Sequence, residues 1–287
     1  MFASSWNVPR RANDRAIVYA SLAVLLAGAC TPRRQLSTAE TAAPTSSPAS
    51  PSDSETQVLA SLLEAADTRR ADTTLVDAAL ASPSPFVRAF AARTAGQAGM
   101  TIREGVLRSL VAERDTMIAA DAAFSLGLLK DSAAVAVLST ALDRQPTVVS
   151  AAAWSLGELG DRGRDALESV LRSGQPSRAL VDVLQASAKL RPVPAALVGP
   201  YTTDPSVHVR RAAAYALTRT RVPAAAPTLI ALDQRLAAHG DETGSGPTEA
   251  EVDLRSYVAR GLAKPVVAES LGGAALAALR RLVGDAH

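Results

Sequence analysis

The feature that most constrains this chain is a block of small residues that returns about every thirty positions. Ala91-Ala92-Arg93-Thr94-Ala95-Gly96 aligns without gaps with Ala122-Ala123-Phe124-Ser125-Leu126-Gly127, 31 residues on, and with Ala152-Ala153-Trp154-Ser155-Leu156-Gly157, another 30 on. Later copies drift. Ala186-Ser187-Ala188-Lys189-Leu190 follows after 34 residues and Ala213-Ala214-Tyr215-Ala216-Leu217 after 27, with a last copy ending near Arg260-Gly261. A fixed period of this length marks stacked supersecondary units, each unable to bury its apolar face alone.

A second motif marks where these segments begin. Ser82-Pro83-Ser84-Pro85-Phe86-Val87-Arg88 corresponds to Asp204-Pro205-Ser206-Val207-His208-Val209-Arg210. Serine or aspartate before proline is a helix start: the side chain caps free N–H groups and proline suits the first turn. Gly96, Gly127 and Gly157 are expected where the chain leaves each helix, and Gly160-Asp161 where it restarts. Between these helices lie partners. Ala133 to Leu142 is one. Asp165 to Leu171 is another, with Ala166, Leu167, Val170 and Leu171 spaced on one helical face. Each unit is therefore helix A, short turn, helix B.

Composition agrees. Apolar residues make up 48% but aromatics only 3%, so alanine, leucine and valine must fill the core, which suits thin layers of closely packed helices. The formal charge is +2; removing residues 1–30, with Arg10, Arg11 and Arg15 against Asp14, leaves 27 basic and 27 acidic residues. A neutral chain without a basic stripe is not built to hold nucleic acid.

The combined pattern, Asp-Pro, Val-Arg, Ala-Ala and Leu-Gly with Leu159-Gly160-Asp161 after it, resembles the short HEAT repeats also found in phycobilisome lyases, over roughly residues 55–283. The resemblance implies an all-α fold, a right-handed α-solenoid of about six to seven antiparallel helix pairs spanning 55–287, with the B helices lining a concave face where ligands bind.

The N-terminus reads as an address. Arg10, Arg11 and Arg15 precede the uncharged run Ala16–Ala29. That run is shorter than the roughly 20 residues needed to span a bilayer and suits the h-region of a secretory signal peptide, here 1–29. Leu26-Ala27-Gly28-Ala29-Cys30 resembles the bacterial lipobox, although its leucine stands one position further from the cysteine than usual. The resemblance implies lipidation at Cys30. The alternatives are an ordinary signal peptide and a retained N-terminal anchor. Cys30 is the sole cysteine, so the chain has no internal disulfide and no cysteine-based metal site. Residues 30–54 follow as a disordered tether; 18 of the 24 residues Thr31–Ser54 are Pro, Ser, Thr or Ala.

No catalytic set emerges. His208, His239 and His287 do not pair at metal-ligand spacing, and His208 falls on the first turn of a B helix as a surface residue. Neither a Gly-x-Ser-x-Gly elbow nor a phosphate-cradling glycine loop with its lysine is present. Gly240–Pro247 reads as a flexible insertion. Glu158, Asp161, Asp165 and Glu168 alternate with Arg162 and Arg164, which reads as a solvated, salt-bridged turn. Arg88 and Arg210 are assigned to a ladder of contacts between neighbouring repeats, with ligand contact as the alternative. Arg93, Phe124, Trp154, Lys189 and Tyr215 share one column of successive B helices. A column so mixed in polarity is not fully buried. It either packs between helices or borders the concave surface as a protein-binding groove.

The expected function is thus a non-catalytic protein-binding scaffold with no cofactor and no metal. It is tethered to the bacterial inner or outer membrane through a lipid anchor, with the solenoid in the periplasm and a protein or peptide partner in the groove. Two alternatives stand beside it: the N-terminal binding array of a larger exported enzyme, and an enzyme-accessory protein of the lyase-like kind. The end at Leu282–His287 offers little polar capping, which leaves room for a homo-oligomer through the terminal repeat.

Overall fold

The computed structural model describes residues 52–174, 179–219, 225–243 and 249–284, all within the unit Pro51–His287. The signal segment 1–29, Cys30 and nearly all of the tether lie outside the described residues, as does His287. The first helix begins before the expected boundary at residue 55. Ser52 accepts from the Glu55 backbone N–H at 3.3 Å while the Glu55 carboxylate accepts from the Ser52 N–H at 2.9 Å. This reciprocal box satisfies two N–H groups that have no partner inside the helix, so Asp53 and Ser54 form its first turn.

Every regular element among the described residues is helical. In chain order they are α1 (Asp53–Thr68), α2 (Thr73–Leu80), α3 (Pro85–Gln97), α4 (Glu104–Val111), α5 (Thr116–Leu129), α6 (Val135–Ala141), α7 (Pro146–Glu158), α8 (Arg164–Ser173) and α9 (Leu180–Ser187). Then follow α10 (Ala195–Val198), α11 (Val207–Thr218), α12 (Ala226–Thr243), α13 (Glu249–Leu262), α14 (Pro265–Leu271) and α15 (Gly273–Gly284). Short 3-10 turns precede α4, α6 and α8, and Gly199–Thr203 extends α10. None of these helices is long and apolar enough to cross a membrane.

The helices alternate between two layers. The B layer runs α1, α3, α5, α7, α9, α11, α13, each packed on the next. The A layer runs α2, α4, α6, α8, α10 and α12, and each of these packs on the B helix that follows it. α14 and α15 close the array against α12 and α13. Leu107, Leu138 and Leu167 from A helices meet Leu126, Leu156 and Leu184 from B helices, all fully buried between the layers. This is the α-solenoid expected from the periodicity: each pair hides its apolar face only against its neighbours.

Three local readings need correction. Gly96, Gly127 and Gly157 lie inside α3, α5 and α7, not at the exits. Their role is close approach. A methyl on Gly96 would sit 2.5 Å from Ser125 Cβ, one on Gly127 2.7 Å from Ser155 Cβ, and one on Gly157 3.1 Å from Ala186 Cβ. The exits are made instead by Gly99, Gly160 and Gly174, each at positive φ, and by Lys130 at φ 59°. Second, proline opens α3, α7 and α14 at the first turn, but α11 begins at Val207, two residues beyond Pro205. Asp204 there accepts the Ser206 N–H at 2.8 Å and builds a turn ahead of the helix. The expected loop from Gly240 is also partly helix, since α12 continues to Thr243; residues 244–248 lie outside the described residues.

The expected inter-repeat ladder is present but made largely by other residues. Arg88 does bridge repeats, with Nη2 3.1 Å from Glu113 Oε2. Arg210 does not among the described residues: its guanidinium donates to the carbonyls of Asp204 and Pro205 at 2.9 Å, stitching its own turn. The arginine falls where that turn's free carbonyls accept its N–H groups. Cross-repeat bonds come from Arg103 to Asp77 (2.6 Å), Arg108 to Asp131, and Arg144 to the carbonyls of Val111 and Glu113. The acidic turn after α7 is salt-bridged as expected, with Arg164 paired to Asp161 (2.9 Å) and Glu168 (3.1 Å). Glu168 is nevertheless only 9% exposed, held between Arg164 and Arg172, and Glu158 reaches out of the turn altogether.

Candidate protein-binding groove

The B layer presents one face to the A helices and the other to the surroundings. Residues near the end of each B helix on that outer face form a ladder. The Arg93 guanidinium lies 5.1 Å from the Phe124 ring centre, and Phe124 stacks on Trp154 at 4.5 Å with 28° between planes. Lys189 Nζ lies 4.3 Å from the Trp154 ring centre. A cation thus closes each end of the ring stack, where the negative faces of the π systems attract it. Tyr215 continues the line on α11 and meets Tyr257 of α13 edge to face at 5.7 Å. All these side chains are partly exposed.

The stack exists because the helices stand close. Ser125 Oγ donates to the Ala92 carbonyl at 2.8 Å, and Ser155 Oγ to the Ala123 carbonyl at 2.8 Å. Thr94 makes the matching bond to the Leu62 carbonyl of α1 at 3.4 Å. Small residues around these bonds, Ala91, Ala92, Ala122, Ala123, Ala152 and Ala153, are fully buried. The neighbouring aromatic column is thereby carried from helix to helix at ring-stacking distance.

The column is not uniform. α9 ends at Ser187, so Lys189 sits in the turn after it and reaches back over the indole. Its Nζ lies 2.7 Å from Glu158 Oε1, in the geometry of an ion pair and not of a directed hydrogen bond. Lys130 from α5's exit pairs with the other Glu158 oxygen. Burial works against the Glu158 charge, but the two ammonium groups outweigh it and hold the carboxyl below its ordinary range. Lys189 is pushed down, by burial first, with Glu158 pulling the other way. Arg93 Nε donates to Asp121 Oδ1 at 2.9 Å; burial raises the Asp121 carboxyl, and Arg93 offsets part of that.

Between Trp154 and Tyr257 the face opens into a cavity of about 730 Å³. Phe124, Trp154, Lys189 and Tyr215 border it, whereas Arg93 does not; it covers the outer Phe124 face and pairs with Asp121. Sequence reasoning missed Tyr257, Asp182, Gln185 and Arg211 here, and placed His208 on the surface without a groove beside it. Tyr257 falls one residue off the column in the drifting last repeat, which hid it. Asp182 stands on α9 across from Ser150 of α7; burial raises its carboxyl, and the Ser150 hydroxyl lowers it in part. Arg211 pairs with Asp253 at 2.6 Å. The lining offers rings, an amide, one carboxylate and paired cations. Among the described residues no group of three or more His, Cys, Asp or Glu is placed to hold a metal ion.

No curated protein matches the chain. Among solved structures it is similar to the complex of CpcE and CpcF of phycocyanin lyase from Nostoc sp. PCC7120, at 21% identity over 74% of this chain and 95% of that one, with a TM-score of 0.46. It is also similar to an engineered protein, at 16% identity over 68% and 96% and a TM-score of 0.46. Human deoxyhypusine hydroxylase in complex with glycerol matches at 14% identity over 81% and 95%, with a TM-score of 0.31. Residues 104–188 match the family of HEAT repeats, and residues 209–235 match the PBS lyase HEAT-like repeat, so both stretches of this array are HEAT-like repeats.

Proposed function

We propose that the array is a non-catalytic protein-binding module that holds a peptide segment of its partner on the outer face of the B layer. The observation that carries this is the cavity between Trp154 and Tyr257, where partly exposed aromatic rings from α5, α7, α11 and α13 converge on one open hollow. Aromatic side chains give large contact area at low ordering cost and are the usual anchors of such surfaces. A photo-crosslinking residue at Gln185, inside the hollow, is expected to capture the partner, and the same residue at Ile102, exposed in the 3-10 turn before α4 and outside the hollow, is not. Equal capture from both positions, or capture that survives Trp154→Ala with Tyr215→Ala, overturns the reading.

An accessory role beside an enzyme is the second reading. It is favoured by the match of residues 209–235 to the PBS lyase HEAT-like repeat. It differs in outcome: the captured partner is then an enzyme whose rate changes when the array is added.

Tethering to an envelope membrane belongs to the same proposal and rests on Ala16–Ala29 and Cys30 alone. Wild type is expected in the detergent phase and Cys30→Ser in the aqueous phase; identical partitioning removes the lipid anchor.

A further inference from the structure

The charges around the hollow are unequal in their pairing. Lys189 is engaged by Glu158, which it shares with Lys130, and Arg211 by Asp253, so each of the two cations on its wall already has an acid partner. His208 stands exposed at the rim. Asp182 is different. It lines the hollow from α9, the helix between the Trp154 and Tyr215 walls, and the neutral Ser150 of α7 lines the same hollow. It has no cationic partner among the described residues, although nine of the acids elsewhere in the array are in ion pairs with arginine or lysine.

A half-buried carboxylate among aromatic rings is an electrostatic match for a cation that is itself weakly hydrated. The guanidinium is that group. It is planar, it accepts contact with ring faces, and its paired N–H donors fit both oxygens of a carboxylate. An ammonium is smaller, more strongly hydrated and pays more to enter. The hollow, at about 730 Å³, is of the size that encloses one long side chain and its neighbours.

We propose that the groove recognises an arginine side chain on a peptide segment of its partner, the guanidinium paired with Asp182 and enclosed by the aromatic walls of Trp154, Tyr215 and Tyr257. This rests on the groove reading above and adds the chemistry of its occupant.

The test is fluorescence anisotropy of the full chain with four labelled nonapeptides of alanine, leucine and tyrosine. They differ only at the centre: arginine, lysine, citrulline or glutamate. Citrulline keeps the shape of arginine and removes its charge. The arginine peptide is expected to bind at least about tenfold more tightly than the citrulline and glutamate peptides, with lysine between, since a charge-assisted pair contributes roughly a factor of ten or more. Asp182→Asn is expected to remove the arginine preference, so that the arginine and citrulline peptides bind alike. Equal binding of the arginine and citrulline peptides, tighter binding of the glutamate peptide, or a preference that survives Asp182→Asn overturns the arginine proposal and leaves the groove reading standing. Failure of all four peptides to bind overturns both. The comparison of arginine with citrulline uses unaltered protein, so it decides even if Asp182→Asn unfolds.

Discussion

The Ser155 hydroxyl donates to the Ala123 carbonyl oxygen across the α5–α7 interface at 2.8 Å, and directly beside it Gly127 leaves no room for a side chain. The same pairing of a hydroxyl with an earlier carbonyl and a glycine occurs one repeat before, at Ser125, Ala92 and Gly96. Hydroxyl and glycine together set the spacing of the B layer. Ser155→Ala is expected to cost about 1 kcal/mol, the usual net worth of one such bond, in urea unfolding followed by circular dichroism.

Gly127→Ala is expected to cost more, about 2 kcal/mol, because a filled interface must move apart. Removing the Ser155 hydroxyl does not rescue it, since the new methyl would still lie 2.7 Å from Ser155 Cβ and 2.8 Å from its Cα. Full recovery of stability in the Gly127→Ala, Ser155→Ala double variant would show that the hydroxyl alone, and not the backbone spacing, sets the limit.

Glu158 predicts a pH effect of definite sign. Its folded carboxyl titrates below its unfolded value, so its contribution is complete above the unfolded value of about 4.3 and disappears as pH falls through the lower folded value. Glu158→Gln is therefore expected to be less stable than wild type at pH 7, by about 1 kcal/mol for a partly exposed pair of bridges, and to converge with wild type in the acid range. Asp121 has the opposite sign: its carboxyl is raised, so the stability of its neutral form is lost as pH rises. Comparing wild type with Glu158→Gln at each pH cancels that background. A stability difference that grows on acidification would contradict the assignment.

Trp154→Ala removes the ring that stacks on Phe124 and underlies Lys189. The site is only partly buried, so the expected cost is about 2 kcal/mol, below that of a core tryptophan. Helix content measured by circular dichroism is expected to stay unchanged, because the ring lies outside the leucine core between the layers.

An ion pair ties α15 to α12. Arg281 of α15 lies 2.6 Å from Asp233 of α12, whose carboxylate is 2% exposed. Arg281→Met leaves that buried charge without this partner, at a cost of about 3 kcal/mol. An end unit of a repeat array is able to open by itself. Amides of α15 are therefore expected to lose hydrogen-exchange protection while those of α5 keep it. Equal loss in both helices would mean the array unfolds as one.

Much of this architecture is legible in the residue order. The return of Ala-Ala and Leu-Gly identifies the B helices, and the apolar spacing of Leu167 and Leu171 identifies an A helix, because a helix buries one stripe and the stripe recurs every turn. The column from Phe124 through Trp154 to Tyr215 follows from the same period, since equal spacing puts equal faces side by side. Lys189 and Tyr257 fall where the period drifts, and there the count misplaces one and misses the other.

What the sequence alone determined is therefore the repeating pair of helices and the shared column of rings, both consequences of local periodicity. Only the tertiary structure decided that Gly96, Gly127 and Gly157 are points of contact and not exits, that Arg210 serves its own turn while Arg88 bridges repeats, and that Asp182 lines the hollow without a cation. Each of these depends on which atoms of a neighbouring repeat come within a few ångströms, and that distance is set by packing between helices some thirty residues apart.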